Sequence, residues 1–129
     1  MLVLADTHVL VWAAEERLDR IPPGFRTILA DEGNAVFMSA ASFWELGIKH
    51  RLGRLRLLVD PAAIATLLEA AGFRHLDVTH RHATARLQHE PETRDPFDWL
   101  LLAQCDVEDM QLMTLDRALQ SLPRALKPQ

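Results

Sequence analysis

Short apolar runs alternate with longer segments of helical periodicity along this chain. Leu2–Ala5 is a continuous apolar run, the pattern of a strand buried on both faces. Asp6-Thr7 then caps a helix reaching about Ala14. Pro22-Pro23 opens a second helix with Phe25, Ile28 and Leu29 on one face, and Gly33-Asn34 ends it. Ala35–Met38 reads as a second strand, and Ser39 starts a helix that runs to about Leu52 and stops at Gly53. Leu55–Val59 is an irregular linker. Pro61 begins a helix that ends at Gly72. His75–Val78 is a weak third strand, and Thr79 caps a helix over His80–Gln88. Glu90–Arg94 is a polar loop. Asp95-Pro96 opens an apolar helix from Phe97 to about Val107. Gln111–Thr114 is the last clear strand, and Asp116 starts a short helix.

Strands separated by helices at this spacing predict βαβ units around a mostly parallel sheet, an α/β class. The length of 129 residues predicts one domain spanning 1–129. In such sheets, functional groups collect beyond the carboxyl ends of the strands. Four acids occupy that position or the helices that start there: Asp6 after the first strand, Glu45 in the helix after the second, Asp98 in the helix feeding the last strand, and Asp116 after it.

Each acid also has a local explanation. Asp6 and Asp116 make good helix N-caps. Ser42-Phe43-Trp44-Glu45 matches a capping box, although a helix starting at Ser39 would leave Glu45 in its interior, where an acid needs a partner. Asp95 fits an N-cap and Pro96 the first helical position, which puts Asp98 at the third, where an acid favours the helix dipole. Four acids at four strand–helix junctions are less well explained this way. Mutually repelling carboxylates are retained where a cation sits among them. Mg²⁺ or Mn²⁺ with oxygen ligands would support phosphodiester hydrolysis.

Composition changes this picture little. With 49% hydrophobic and 25% charged residues, the chain resembles an ordinary globular protein. The net charge of −4 does not suggest a nucleic-acid binder. Its distribution is more permissive: residues 49–94 carry 8 bases and 5 acids, and the flanking thirds, which hold the four acids, are acidic. The single cysteine, Cys105, excludes an intramolecular disulfide and fits a reducing cytoplasm. The N-terminus lacks a basic stretch before its apolar run, so no signal peptide is expected, and no apolar run reaches the ~18 residues a membrane span needs.

Competing chemistries lack their motifs. His75, His80, His82 and His89 offer no zinc spacing, and His80 and His82 do not share a helix face. Ser39 and Ser42 lack a nucleophile elbow. The five glycines are isolated, so no phosphate loop is present.

The segments LVLADTHVLVWA, FMSAASFWELGIKHRLGRL and TRDPFDWLLLAQC followed by LMTLD resemble PIN-domain ribonucleases, specifically VapC-like toxins of type II toxin–antitoxin pairs. The resemblance spans nearly the whole chain. It implies a three-layer α/β/α fold with about five strands, and a Mg²⁺ or Mn²⁺ site of Asp6, Glu45, Asp98 and Asp116 that cleaves RNA. It places Thr7, Ser39 and Thr114 as polar groups near that site, and Asp95 as a helix cap supporting it. It also implies a homodimer and a cognate antitoxin whose tail enters the acidic site. A non-catalytic PIN-like module that binds RNA or protein is the alternative. One position departs from the pattern: Trp99 stands where the subfamily often has Arg. Lys49, Arg51, Arg54 and Arg56, with Arg94 nearer the site, are the candidates for phosphate contact, against the plainer reading of a solvated helix face and linker.

Overall fold

A computed structural model describes residues 1–128. The elements are β1 (Leu2–Ala5), α1 (Thr7–Ala14), a 3-10 turn (Leu18–Arg20), α2 (Pro23–Ala30), β2 (Ala35–Ser39), α3 (Ala40–Arg51), α4 (Pro61–Ala70), β3 (Arg74–Leu76), α5 (His80–Ala83), α6 (Pro96–Glu108), β4 (Gln111–Met113) and α7 (Arg117–Gln120). The strands form one sheet in the order β3-β2-β1-β4. All three pairings are parallel, with Leu4 opposite Phe37 and Leu112, and Met38 opposite His75.

Alternation along β1 divides the core in two. Val3 and Ala5 join Val36, Met38 and Met113 under Leu10, Phe25, Leu46, Ile64 and Leu68, which come from α1 to α4. Leu4 and Leu112 face the other way, onto Leu101, Leu102 and Cys105 of α6 and onto Leu119 of α7. Successive strand side chains point to opposite faces, so an unbroken apolar run is what a sheet covered by helices on both sides requires. The result is the α/β/α sandwich expected, with four strands in place of about five. Beyond β4 the described residues add only a single parallel bridge, Leu112 to Ala125. Leu112 N–H donates to Arg124 O at 2.8 Å, and Leu126 N–H donates to Leu112 O at 2.9 Å. Pro123 and Pro128 flank this segment and have no N–H to extend the ladder.

Two other boundaries differ from expectation. The third strand is Arg74–Leu76 rather than His75–Val78, because its partner β2 ends at Ser39, opposite Leu76. The helix after Thr79 stops at Ala83 rather than continuing to Gln88. Thr84 Oγ1 turns back to His80 O at 2.8 Å, and Gln88 N–H is drawn to Asp106 of α6 at 2.9 Å. Gly53 (φ +71°) closes the turn after α3, a conformation that favours glycine.

Order 3-2-1-4 makes β1 the strand from which the chain proceeds both ways: β2 on one side, β4 on the other. A crevice at the carboxyl ends of β1 and β4 is the position where α/β sheets gather ligand-binding groups.

Candidate functional site

Asp6 emerges directly from β1 and caps α1, its Oδ1 accepting from Val9 N–H at 3.1 Å. Its backbone N–H donates to Met113 O at 3.0 Å, so the residue is fixed to the end of the neighbouring strand β4. Oδ2 accepts from the Thr114 hydroxyl. That hydroxyl also accepts from Asp116 N–H at 3.1 Å, and Asp116 caps α7 through Ala118 N–H at 2.9 Å. One threonine therefore links the two strand-end acids.

Ser39 settles the start of α3. Its hydroxyl accepts from Ala41 N–H at 3.0 Å, which makes it the N-cap and leaves Glu45 inside the helix rather than in a capping box. Glu45 is 6% exposed. Its Oε1 accepts from Thr7 Oγ1 at 2.5 Å and its Oε2 from Lys49 Nζ at 2.5 Å. Asp95 caps α6 by accepting from Phe97 N–H at 2.9 Å, and Pro96 follows in the first turn, with Asp98 beyond it.

Asp6, Glu45, Asp98 and Asp116 line one cavity of about 170 Å³, together with Thr7, His8, Lys49, Asp95 and Leu101. The electrostatic result is visible at Asp98. Burial, followed by the charges of Asp95, Asp116, Glu45 and Asp6, pushes its pKa up to about 7. Asp6 also lies above the usual carboxylate range. Burial raises it most and the Glu45 charge adds to this, against the Thr114 and Val9 hydrogen bonds and the His8 ring. Lys49 is raised too: burial opposes its charge, but Glu45, Asp95 and Asp98 outweigh that cost.

These groups suit a divalent ion chemically. They supply carboxylate oxygens from four chain segments, and no hydrogen bond among the described residues involves the Asp98 carboxylate. As the side chains stand, no three His, Cys, Asp or Glu among the described residues form a group that could hold a metal ion. Lys49 shares the cavity and is held on Glu45 Oε2.

Other sequence candidates lie elsewhere. Ser39 is fully buried and donates to Gln104 Oε1 at 2.6 Å; it is not among the cavity-lining residues. Gln104 in turn donates to Asp77 O at 3.3 Å, tying α6 to both β2 and the end of β3. The sequence signal for this amide is a lone polar residue inside the apolar run Leu100–Cys105, absent from the candidates above. Arg51, Arg54 and Arg56 are exposed. Arg94 lines a second, mostly apolar hollow of about 620 Å³ between α5 and α6. Trp99 lines it as well, its indole N–H donating to Thr93 O at 2.7 Å. Cys105 is buried, and that burial raises its thiol to about 12, which leaves it inert. No helix among the described residues is long and apolar enough to cross a membrane.

Comparison of the sequence with curated proteins gives no match. Solved structures that share the fold include chains of two toxin–antitoxin complexes. A chain of VapBC2 from Rickettsia felis, bound to a DNA fragment from its promoter, superposes with a TM-score of 0.63 at 14% identity, covering 98% of this chain and 96% of that one. A chain of a toxin–antitoxin complex from Klebsiella pneumoniae gives 0.57 at 18% identity, covering 98% of both. The model of the PIN domain matches residues 3–125, a span that contains β2, β3, β4, all of β1 but Leu2, and all five acids that line the cavity. The chain therefore belongs to the PIN-domain family.

Proposed function

We propose that this protein is a metal-dependent endoribonuclease and the toxin of a toxin–antitoxin pair. The observation that carries this reading is the convergence of Asp6, Glu45, Asp98 and Asp116, from four separate chain segments, on one cavity. Family membership supports it, as does the likeness to VapBC2 and to a toxin–antitoxin complex.

In this reading Asp6, Glu45, Asp98 and Asp116 hold Mg²⁺ or Mn²⁺. The bound ion would supply an activated water and charge stabilisation at phosphorus. The chain's own contribution is positional. Thr114 orients Asp6, Thr7 orients Glu45, and the Asp95 cap fixes the first turn of α6 and so the place of Asp98. The exposed Arg51, Arg54 and Arg56 supply a basic approach for the RNA backbone. A cognate antitoxin would silence the site, and the protein would act as a cytoplasmic homodimer of single PIN-like domains.

The ion pair of Glu45 with Lys49 favours one other reading, a PIN-like module that binds RNA or protein without cutting. An internal ammonium partly satisfies the acids with no metal present. The two readings separate in one experiment. Purified protein is incubated with RNA in Mn²⁺ buffer, beside Asp6→Asn and Asp98→Asn variants whose folding is checked by circular dichroism. Cleavage by wild type alone is the expected result. Undiminished cleavage by both variants would sink the nuclease assignment, and absence of Mn²⁺ binding by calorimetry would favour the module. Toxicity in cells that is rescued by the neighbouring reading frame tests the toxin–antitoxin pairing.

A further inference from the structure

Lys49 differs from the other bases of its segment. Arg51, Arg54 and Arg56 face solvent, whereas Lys49 lines the acid cavity, the one lysine or arginine among the described residues that does so. Its side chain is 34% exposed and the Glu45 side chain only 8%. Most i,i+4 pairs on helix surfaces are loose and screened. This pair is held from both ends: Thr7 fixes the other Glu45 oxygen, and the charges of Asp95 and Asp98 act on the ammonium.

Both oxygens of Glu45 are thus engaged inside the protein. A divalent ion on Oε2 and an ammonium on the same atom would repel each other at a few ångströms in a partly buried site. We propose that Lys49 is a tethered counter-ion: its ammonium neutralises the cavity of the metal-free protein, and it leaves Glu45 Oε2 when a divalent cation takes that oxygen. The flexible four-carbon stem allows this movement. The idea rests on the metal-dependent reading of the site.

The chain has two lysines, Lys49 and Lys127, and this makes the movement measurable in wild-type protein. Limited acetylation with acetic anhydride, read by mass spectrometry, is compared with and without saturating Mn²⁺. Lys49 labelling is expected to rise severalfold while exposed Lys127 stays constant as the internal reference. In parallel, calorimetry should show Lys49→Gln binding Mn²⁺ about tenfold more tightly than wild type, with a lower metal-free Tm. Arg51→Gln, which removes the same charge from the solvent-facing end of α3, should change Mn²⁺ affinity less than about twofold. Unchanged Lys49 labelling, with equal Mn²⁺ affinity in wild type and Lys49→Gln, overturns the counter-ion alone. Failure of both proteins to bind Mn²⁺ overturns the metal-dependent reading and the counter-ion with it.

Discussion

The Thr7 hydroxyl donates to Glu45 Oε1 at 2.5 Å, joining the first turn of α1 to the middle of α3 across 38 residues. The bond is buried and its acceptor is a carboxylate, which makes it one of the stronger classes of hydrogen bond. Thr7→Val keeps the shape of the side chain and removes the donor. It should lower stability by about 1–2 kcal/mol in urea denaturation and weaken Mn²⁺ binding, while Thr7→Ser should restore both. A Thr7→Val protein as stable as wild type would show that the bond contributes nothing.

Asp98 contributes to the pH dependence of the metal-free protein, in the same direction as Asp6. Its pKa rises from an ordinary 3.8 to about 7 on folding, so between those values the folded state binds more protons than the unfolded state. The associated penalty is absent below about pH 4, grows through the window and is complete above about pH 7. Stability without metal should therefore fall as pH rises from about 4 to 7. Asp98→Asn should flatten that slope and, at pH 8, raise Tm by a few degrees, about 1 kcal/mol after allowance for solvent screening. Melting both proteins in a chelator across this range checks the sign; parallel curves would contradict it.

Ser42 carries the one buried side-chain oxygen or nitrogen that lacks a partner among the described residues. The residue is 1% exposed, in the first turn of α3. A buried hydroxyl with no partner has a desolvation cost and nothing to offset it. Ser42→Ala should be neutral or stabilising by up to about 1 kcal/mol, in contrast to the usual loss on truncating a core residue. A loss above about 1 kcal/mol would mean that the hydroxyl has a partner.

Gln104 ties α6 to the ends of β2 and β3 by accepting from Ser39 and donating to Asp77 O. Gln104→Leu fits the apolar surroundings but strands the Ser39 hydroxyl without its acceptor. A cost of about 1–3 kcal/mol is expected, and Ser39→Ala in the same protein should recover part of it. Strict additivity of the two changes would show that they are not coupled.

Much of the site was legible because its residues also do local work. Asp6, Ser39, Asp95 and Asp116 each cap a helix, and capping depends only on neighbours in sequence. The same chemistry starts the helices and delivers the acids to the ends of the strands. Some features that depend on non-local partners differ from expectation. Ser39 read as a polar group near the acids and instead bonds Gln104, 65 residues away. The third strand lost its last two expected residues because β2 ends before them. The fifth strand is reduced to one bridge between prolines.

From the sequence alone come the parallel α/β order, the caps, and the four acids at strand–helix junctions, because periodicity and capping are short-range properties. Only the tertiary structure decided which charges share a cavity. Lys49 and Arg51 are two residues apart on one helix, equally basic in the sequence, yet α3 turns the first into the acids and the second into water. Helix rotation against α1 and α6 makes that choice. It is fixed by packing from opposite ends of the chain, Leu46 against β1 and β2 and Ser39 against Gln104, and no local pattern encodes it.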